Sequence, residues 1–258
     1  MVVMGEFWLE NRAMLQRWWF RLRREPLTLL STLAQPVLWL LLFGHLLARM
    51  AAGDVPGGDY LTFMTAGAMV MTVFNGAING GVELLFDRET GFLQRLLAAP
   101  IRRLSIVTSR FVYIVAVTAV QNLLIALTAY LLGVRFATGL GGVLAALGIG
   151  ALFGAGVATL SIALAFAVRR HPEFFTITAF LSLPLLFLSS ALAPLDLMPG
   201  WMQVLARLNP MTYAIEATRV LVLRGWDPGL VGSMLGALLA FDALALAVAA
   251  RVLRRGLA

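Results

Sequence analysis

The sequence predicts an all-α integral membrane protein made of one transmembrane domain over residues 1–258. Hydrophobic residues make up 60% of the chain and charged residues 13%, and the mean hydropathy is +0.89. Soluble domains contain roughly half apolar and a quarter charged residues. Because a transmembrane helix needs ~20 apolar residues, the length of the chain allows six spans and no sizeable soluble domain.

Apolar runs and arginine positions together define the predicted topology. The six predicted spans are 27–48, 60–84, 104–133, 140–168, 174–193 and 228–250. All twenty basic residues are arginine, and fifteen of them fall on one side of these spans and five on the other. Basic residues concentrate on the cytoplasmic side of a membrane. We therefore predict a multi-pass protein of the cell inner (plasma) membrane with both termini in the cytoplasm.

Residues 1–25 precede the first span and form an amphipathic pattern at helical spacing. Glu6, Glu10 and Arg17 share one face, and tryptophans such as Trp8 and Trp18 lie opposite. A helix of this kind lies in the membrane interface with its aromatic rings among the lipid headgroups. The alternative is a soluble helix packed on a partner protein.

Residues 86–101 link the second and third predicted spans and are longer than a simple turn requires. We predict a short surface helix, which Gly91 allows to begin sharply and Pro100 ends. Its apolar side chains suit a groove on a partner protein, and its charged residues suit the rim. The candidate docking residues are Glu89, Gly91, Phe92, Leu93, Arg95, Leu96 and Leu97. The alternative is an amphipathic loop that lies on lipid.

Residues 194–227 are too long for a turn and are interrupted by prolines. They predict two short helices, 200–208 and 211–224, on the extracytoplasmic side, where the chain re-enters the membrane before the last span. Irregular backbone at that depth must be buried by protein or line a cavity. The residues that mark this segment are Pro194, Pro199, Trp201, Asn209, Pro210 and Tyr213.

Polar residues inside the spans are candidates for a translocation path. Thr72, Asn75, Asn79 and Glu83 recur at spacings of three or four and so share one face of the second span. Thr72 and the two asparagines either line a path or form hydrogen bonds between helices. Glu83 lies near the cytoplasmic end, where we expect it to meet water or an arginine. Asn122 in the third span is a weaker candidate of the same kind.

Two further features of the spans are predicted to be structural. Small residues recur every fourth position from Gly142 to Ala158, which predicts close packing of the fourth span. Asp242 is the one acidic residue well inside a span, and Arg110 enters the third span from the same side. We predict an intramembrane Arg110–Asp242 pair, with a proton or substrate site as the alternative.

Composition excludes several classes of function. The chain has no cysteine and two histidines, so we expect no disulfide and no metal site. It has no lysine and therefore no P-loop, so we expect no cofactor on this chain and place any ATP and magnesium on a partner. The net charge of +7 comes from arginines at span ends, which favours contact with membrane lipids and not with nucleic acid.

Two segments resemble motifs of the type-2 ABC exporter permease family. Residues 87–100, DRETGFLQRLLAAP, resemble its coupling helix, and residues 194–201, PLDLMPGW, with 209–213, NPMTY, resemble its re-entrant segment. The resemblance covers nearly the whole chain. It is closest to the branch that contains drug-resistance and lipo-oligosaccharide export permeases.

This resemblance implies the membrane subunit of an ATP-driven exporter, without catalytic residues of its own. Its spans would form the path for an amphipathic substrate such as a drug, a lipid or a lipid-linked saccharide. Two copies of an ABC nucleotide-binding subunit and a second permease subunit, identical or a close paralogue, are the implied partners. The alternatives are a secondary transporter and an intramembrane lipid-processing enzyme. Against these, the chain shows no half-to-half repeat, no Gly-x-Ser-x-Gly and no Asp-x-x-Asp.

Overall fold

The computed structural model describes residues 2–24, 34–42, 44, 46, 60–99, 103–168 and 170–256, and within them the secondary structure is helical with no strand. The helices are α1 (Val2–Arg24), α2 (34–42), α3 (Tyr60–Glu89), α4 (Phe92–Ala98), α5 (Arg103–Leu131), α6 (Gly139–Ala167), α7 (His171–Phe187), α8 (Gly200–Leu208), α9 (Pro210–Leu223) and α10 (Pro228–Gly256). One turn of 3₁₀ helix, Leu195–Leu197, precedes α8.

Four of the described helices are long and apolar enough to cross a membrane: Tyr60–Glu89, Thr108–Leu131, Gly139–Ala167 and Pro228–Val252. This confirms the all-helical prediction, and the four helices are candidate membrane spans. α7 has 17 residues and is shorter than these four. Much of the predicted first span, 27–48, lies outside the described residues. The count of six spans therefore stays a prediction.

α3 is the central helix, and α4, α5, α6, α7 and α9 all pack against it. Small residues allow α6 to approach closely, because a Cβ added at Gly150 or Gly154 would lie 3.1 or 2.9 Å from Val73 of α3. Nearby, the Ser161 hydroxyl of α6 donates a hydrogen bond of 2.6 Å to the carbonyl of Ile78. The predicted close packing of the small-residue stripe is confirmed.

The link between α3 and α4 differs from the prediction in its bounds. α3 continues to Glu89, past its predicted end at 84, so α4 is a helix of only 7 residues. The extra turn of α3 is held by contacts of its charged side chains with neighbouring helices. Gly91 has φ 70°, the left-handed conformation that favours glycine, so the predicted sharp turn is confirmed. Pro100 lies outside the described residues.

α8 and α9 occur close to the two predicted short helices, and Asn209 joins them. Its Oδ1 accepts a hydrogen bond from the Met211 N–H at 3.0 Å and caps α9. Its Nδ2 donates to the carbonyls of Leu185 and Leu188 at 2.7 and 2.6 Å. One side chain thus begins α9 and holds the C-terminal end of α7.

Candidate functional site

The candidate site is the charged junction where the last two turns of α3 meet four other helices. Successive helical side chains point about 100° apart, so a charged run at a helix end reaches in several directions. Here the acids and bases of α3 contact α1, α5, α6 and α7. The charged junction consists of Arg17, Glu83, Asp87, Arg88, Glu89, Arg110 and His171.

Asp87 is the centre of the junction and contacts two guanidinium groups. Arg17 Nη2 lies 2.6 Å from its Oδ1, and Arg110 Nη1 lies 3.4 Å from its Oδ2. Arg110 Nη2 also contacts Glu83 Oε2 at 2.8 Å. The side chains of Asp87 and Arg110 are 8% and 3% exposed, so the charges are desolvated and depend on each other. α1, α3 and α5 are therefore joined by a chain of alternating charges.

An aromatic side chain of α1 packs against the two guanidinium groups that contact Asp87. The Trp18 ring is buried, and the guanidinium carbons of Arg17 and Arg110 lie 4.7 and 4.2 Å from its centroid, within cation–π range. Nearer the start of α1, Asn11 Oδ1 accepts a hydrogen bond from the Thr108 hydroxyl of α5 at 2.8 Å. α1 is thus fixed to α5 along its length, while Leu9, Trp19 and Phe20 remain exposed.

On the other side of α3, the junction reaches α6 and α7. Arg88 Nη1 donates to the carbonyls of Ala165 and Val168 at 3.3 and 3.2 Å, which places a cation at the C-terminal end of α6. His171 Nδ1 lies 2.5 Å from Glu89 Oε1. His171 begins α7, and its side chain is largely covered.

α4 is attached to the junction by its apolar side. Leu96 is buried against Met14 of α1, and Phe92 packs on both. The Arg17 guanidinium carbon lies 3.7 Å from the centroid of the Phe92 ring. Leu96 is buried and Phe92 is half-buried, because α1 of the same chain packs on both, so their contact with a partner protein stays a prediction. The side chains of Leu93 and Leu97 lie outside the described part of the chain.

Among the described side chains of this segment, the exposed ones are mainly polar. We define the α4 outer face as the exposed residues Glu89, Thr90, Gln94, Arg95 and Ala98. Glu89 and Arg95 belong to the predicted docking set. Gly91 belongs to the same predicted set and forms the turn that determines the direction of α4.

The predicted Arg110–Asp242 pair is wrong. Arg110 contacts Glu83 and Asp87, whereas Asp242 Oδ1 of α10 lies against Gly156 of α6. The reason is tertiary packing, because α10 packs mainly on α6 and α9.

The predicted polar stripe of the second span divides into exposed and enclosed residues. Asn75 and Asn79 are exposed, although most of α3 is buried. Thr72 is buried and its hydroxyl donates to the Ala68 carbonyl at 2.8 Å within the same helix. Asn122 of α5 is 2% exposed. Glu83 belongs to the charged junction.

The predicted re-entrant residues lie at the starts of short helices or contact neighbouring parts of the same segment. Pro194 and Pro199 lie directly before the 3₁₀ turn and α8, and Pro210 begins α9. Trp201 is 64% exposed, and the Tyr213 hydroxyl donates to the Arg207 carbonyl at 2.7 Å.

The sequence did not predict that Arg219 of this region is buried. Its Nη2 donates to the Ser190 carbonyl at 2.6 Å, its guanidinium carbon lies 3.7 Å from the Phe63 ring centroid, and Glu216 pairs with it. Burial lowers the pKa of Arg219 to about 10, so it stays charged at neutral pH. Glu216 three residues earlier on the same helix was the available signal.

Sequence comparison identifies relatives that match most of the chain. The family model for ABC-2 type transporters matches residues 10–223. A protein of Porphyra purpurea named as transport permease ycf38 is 40% identical over 212 residues, which is 81% of this chain and 72% of the relative. The daunorubicin resistance ABC transporter permease protein DrrB1 of Streptomyces coeruleorubidus is 31% identical over 218 residues, 80% and 73% of the two chains.

A more distant relative is Nodulation protein J of Rhizobium meliloti, 25% identical over 232 residues, which is 89% of this chain and 87% of the relative. The matched region contains both segments that carried the resemblance, residues 87–100 and 194–213, and the charged junction between α1 and α7. The resemblance drawn from the sequence is confirmed, and the chain is a membrane-spanning permease that belongs to the ABC-2 type transporter family.

Proposed function

We propose that this chain is the non-catalytic membrane subunit of an ATP-driven exporter, and that a separate ATPase subunit drives it through α4. The observation that carries the proposal is the charged junction, which joins the end of α3 and the attached α4 to α1, α5, α6 and α7. Permeases of this family typically work with an ATP-binding subunit. ATP and magnesium would then be bound and used on that partner.

In the proposed topology, the protein lies in the inner membrane of the cell. It has six spans, and both termini are in the cytoplasm. The arginine asymmetry supports it, since fifteen of twenty arginines fall on the side of α4. Six spans suit a unit of two permease subunits, either a homodimer or a pair with a close paralogue. Two ATPase subunits would dock on the α4 side, and α8 and α9 would lie on the extracytoplasmic side.

The ATPase docks on the α4 outer face in this proposal. Arg95 and Gln94 are exposed there, and Ala98 leaves room for a partner side chain. The opposite side of α4 is fixed to Met14 and Arg17. A displacement of α4 by the partner would therefore move α1 directly. The same displacement would be transmitted to α3 and α5 through the ion pairs of Asp87.

The proposed cargo is amphipathic, and its path passes Asn75 and Asn79. These two amides are exposed on a helix that is otherwise mostly buried, whereas Thr72 and Asn122 are enclosed by packing. The name of the DrrB1 relative associates it with resistance to daunorubicin. The apolar spans of this chain, with few charges inside them, suit such a cargo better than an ion.

The test separates docking from transmission. The double variant Arg95→Glu, Ala98→Asp alters only exposed side chains, so the permease should fold but should no longer co-purify with its ATPase. Leu96→Ala removes the contact with Met14 and should keep the ATPase bound while weakening the stimulation of ATP turnover by the permease. Both quantities are measured on the reconstituted complex.

The control for charge reversal is Arg207→Glu, an exposed arginine of α8 at the other end of the molecule. It should leave ATPase binding and turnover unchanged. If the Arg95, Ala98 double variant still captures the ATPase and still transports, α4 is not the docking element. If all three variants lose binding alike, the effect is one of net charge or folding and the proposal fails.

A further inference from the structure

An apolar cleft of 460 Å³ lies between α7 and α10, and nothing in the proposed transport cycle uses it. Its floor is formed by side chains of α3 and α6, including Phe74, Phe153 and Val157. Its rim is formed by Ile177 and Leu181 of α7, with Val248 of α10 opposite. The volume falls in the range of about 300–1,000 Å³ that is typical of small-molecule sites.

The cleft exists because α7 is held at its two ends and not in its middle. At its start, Phe174 is buried against Leu85 and other apolar side chains of α3 and α6. At its end, Asn209 bonds the carbonyls of Leu185 and Leu188. Among the described side chains of α7, Phe174 is the one that is buried. The helix therefore stands away from α10 between these two attachments.

The polar side chains that line the cleft use their hydroxyl protons within the protein. Thr178 donates to the Phe174 carbonyl at 2.8 Å, and Ser182 donates to the Thr178 carbonyl at 2.6 Å. Ser161 donates to the Ile78 carbonyl. A polar ligand would lose its hydration here without gaining a donor from these groups, which is unfavourable. The lining therefore selects a hydrocarbon.

The position of the cleft indicates the source of that hydrocarbon. Phe74 and Phe153 lie near the middle of two helices that can cross a membrane, so the floor lies at the depth of the lipid chains. The floor residues are buried, Phe153 to 1% exposure, whereas rim residue Leu181 is 50% exposed. The cleft thus opens sideways between α7 and α10, where a bilayer presents its acyl chains. Water does not fill an apolar space of this kind.

We propose that the α7–α10 cleft binds one acyl chain of a membrane phospholipid within each copy of the permease. The chain enters between Leu181 and Val248 and lies on Phe74 and Phe153. The lipid fills the gap that α7 leaves and so supports a helix with few protein contacts of its own. This inference does not depend on the ATPase partner, because it concerns the permease alone in a membrane.

The test is photolabelling of the full-length protein in phosphatidylcholine vesicles, a fraction of whose lipid carries a diazirine in one acyl chain. After irradiation, labelled residues are mapped by mass spectrometry. Exposed residues such as Leu183 will be labelled by bulk lipid, so the decisive positions are the buried floor residues Phe74, Phe153 and Val157. We expect the floor to be labelled, since only a chain inside the cleft can reach it.

A matched pair of variants completes the test. Ser182→Phe places a ring in the cleft and should reduce floor labelling to background, while labelling of Leu183 is unchanged. Ala179→Phe adds the same ring on an exposed part of α7 away from the lining and should leave floor labelling as in the wild type. If either variant fails to fold, the wild-type floor labelling still decides the question.

Two results would overturn the proposal. One is a floor labelled no more than the buried core residue Ile215, which is not part of the cleft. The other is floor labelling that Ser182→Phe leaves intact. Because the chain has no native cysteine, a Leu181→Cys variant also reports whether a second copy covers the rim, through a disulfide between copies. Efficient crosslinking of that kind together with an unlabelled floor would assign the cleft to a protein interface.

Discussion

The two ends of α3 are held by different kinds of interaction. The end that carries Asp87 and Glu89 is held mainly by ion pairs between side chains on separate helices, together with the bonds of Arg88 to two carbonyls at the end of α6. At the other end, side chains bond main-chain carbonyls. The Tyr60 hydroxyl donates to the Leu192 carbonyl at 2.9 Å, and Arg219 donates to the Ser190 carbonyl at 2.6 Å.

This difference affects how each end can respond to a displacement. Asp87 contacts two arginines and Arg110 contacts two carboxylates, so one contact can lengthen while another shortens. A main-chain carbonyl has a fixed position in its helix or turn, so a bond to it holds one geometry. We therefore expect the charged junction to rearrange during function and the Tyr60 end to act as an anchor.

The largest expected effect comes from Asp87→Asn, which removes the shared negative charge. Arg17 and Arg110 would remain close together with one carboxylate fewer, and Arg110 is buried. Loss of one partner of a buried ion pair costs about 3–5 kcal/mol. The unfolding midpoint of the purified permease in detergent should fall markedly.

Glu83→Gln is the control for Asp87→Asn, because Glu83 also contacts Arg110 but its side chain is 28% exposed, against 8% for Asp87. Its effect should be smaller. The double variant Asp87→Asn, Arg17→Gln should recover part of the loss, since it restores the charge balance. Equal losses for Asp87→Asn and Glu83→Gln would contradict the central place of Asp87.

The anchor end is tested by Asn209→Ala, with the next largest expected effect. The substitution removes the cap of α9, worth about 1 kcal/mol. It also leaves the carbonyls of Leu185 and Leu188 without their donor, at about 1–3 kcal/mol for a buried group. Asn209→Ser keeps an oxygen for the Met211 N–H and should lose less. In thermal unfolding, the difference between the two variants measures the cap, and the loss that Asn209→Ser still shows against the wild type measures the bonds to α7. A serine variant as stable as the wild type would show that those bonds contribute nothing.

A smaller effect is expected from His171→Gln within the junction itself. Glu89, its partner, is 47% exposed, so solvent screens the pair. Exposed ion pairs contribute about 0–1 kcal/mol. The unfolding midpoint should therefore change little compared with Asp87→Asn. A loss as large as that of Asp87→Asn would mean that the junction is energetically uniform and that Asp87 is not its centre.

The sequence was sufficient for features that depend on local pattern. The apolar runs predicted α3, α5, α6 and α10, and Gly91 predicted the turn before α4. The spacing of prolines predicted α8 and α9. In each case, the property that decides the structure is contained within a few neighbouring residues.

Contacts between distant residues could not be predicted in the same way. Arg110 has several acids within reach along the chain, and the packing of α5 on α3 and of α10 on α6 decides that Glu83 and Asp87 are its partners. The orientation of Phe92 depends likewise on α1, which lies some seventy residues earlier. An amphipathic helix has an apolar side whether the same chain or a partner protein covers it. Periodicity alone does not distinguish these two possibilities.

The smallest expected effect concerns Asp242, and here the structure reverses the sequence-based expectation. If Asp242 paired with Arg110, Asp242→Leu would leave a buried guanidinium without a partner and lower the folded yield. Arg110 instead keeps Glu83 and Asp87, and Asp242 lies against Gly156. A carboxylate inside a span costs about 2.5–3.5 kcal/mol on the insertion scale, so its replacement by leucine should leave the yield unchanged or raise it. Asp242→Asn, which keeps the shape, is the matched control, and both are compared by membrane-inserted yield and unfolding midpoint. A loss seen only with Asp242→Leu would indicate a polar partner from another subunit.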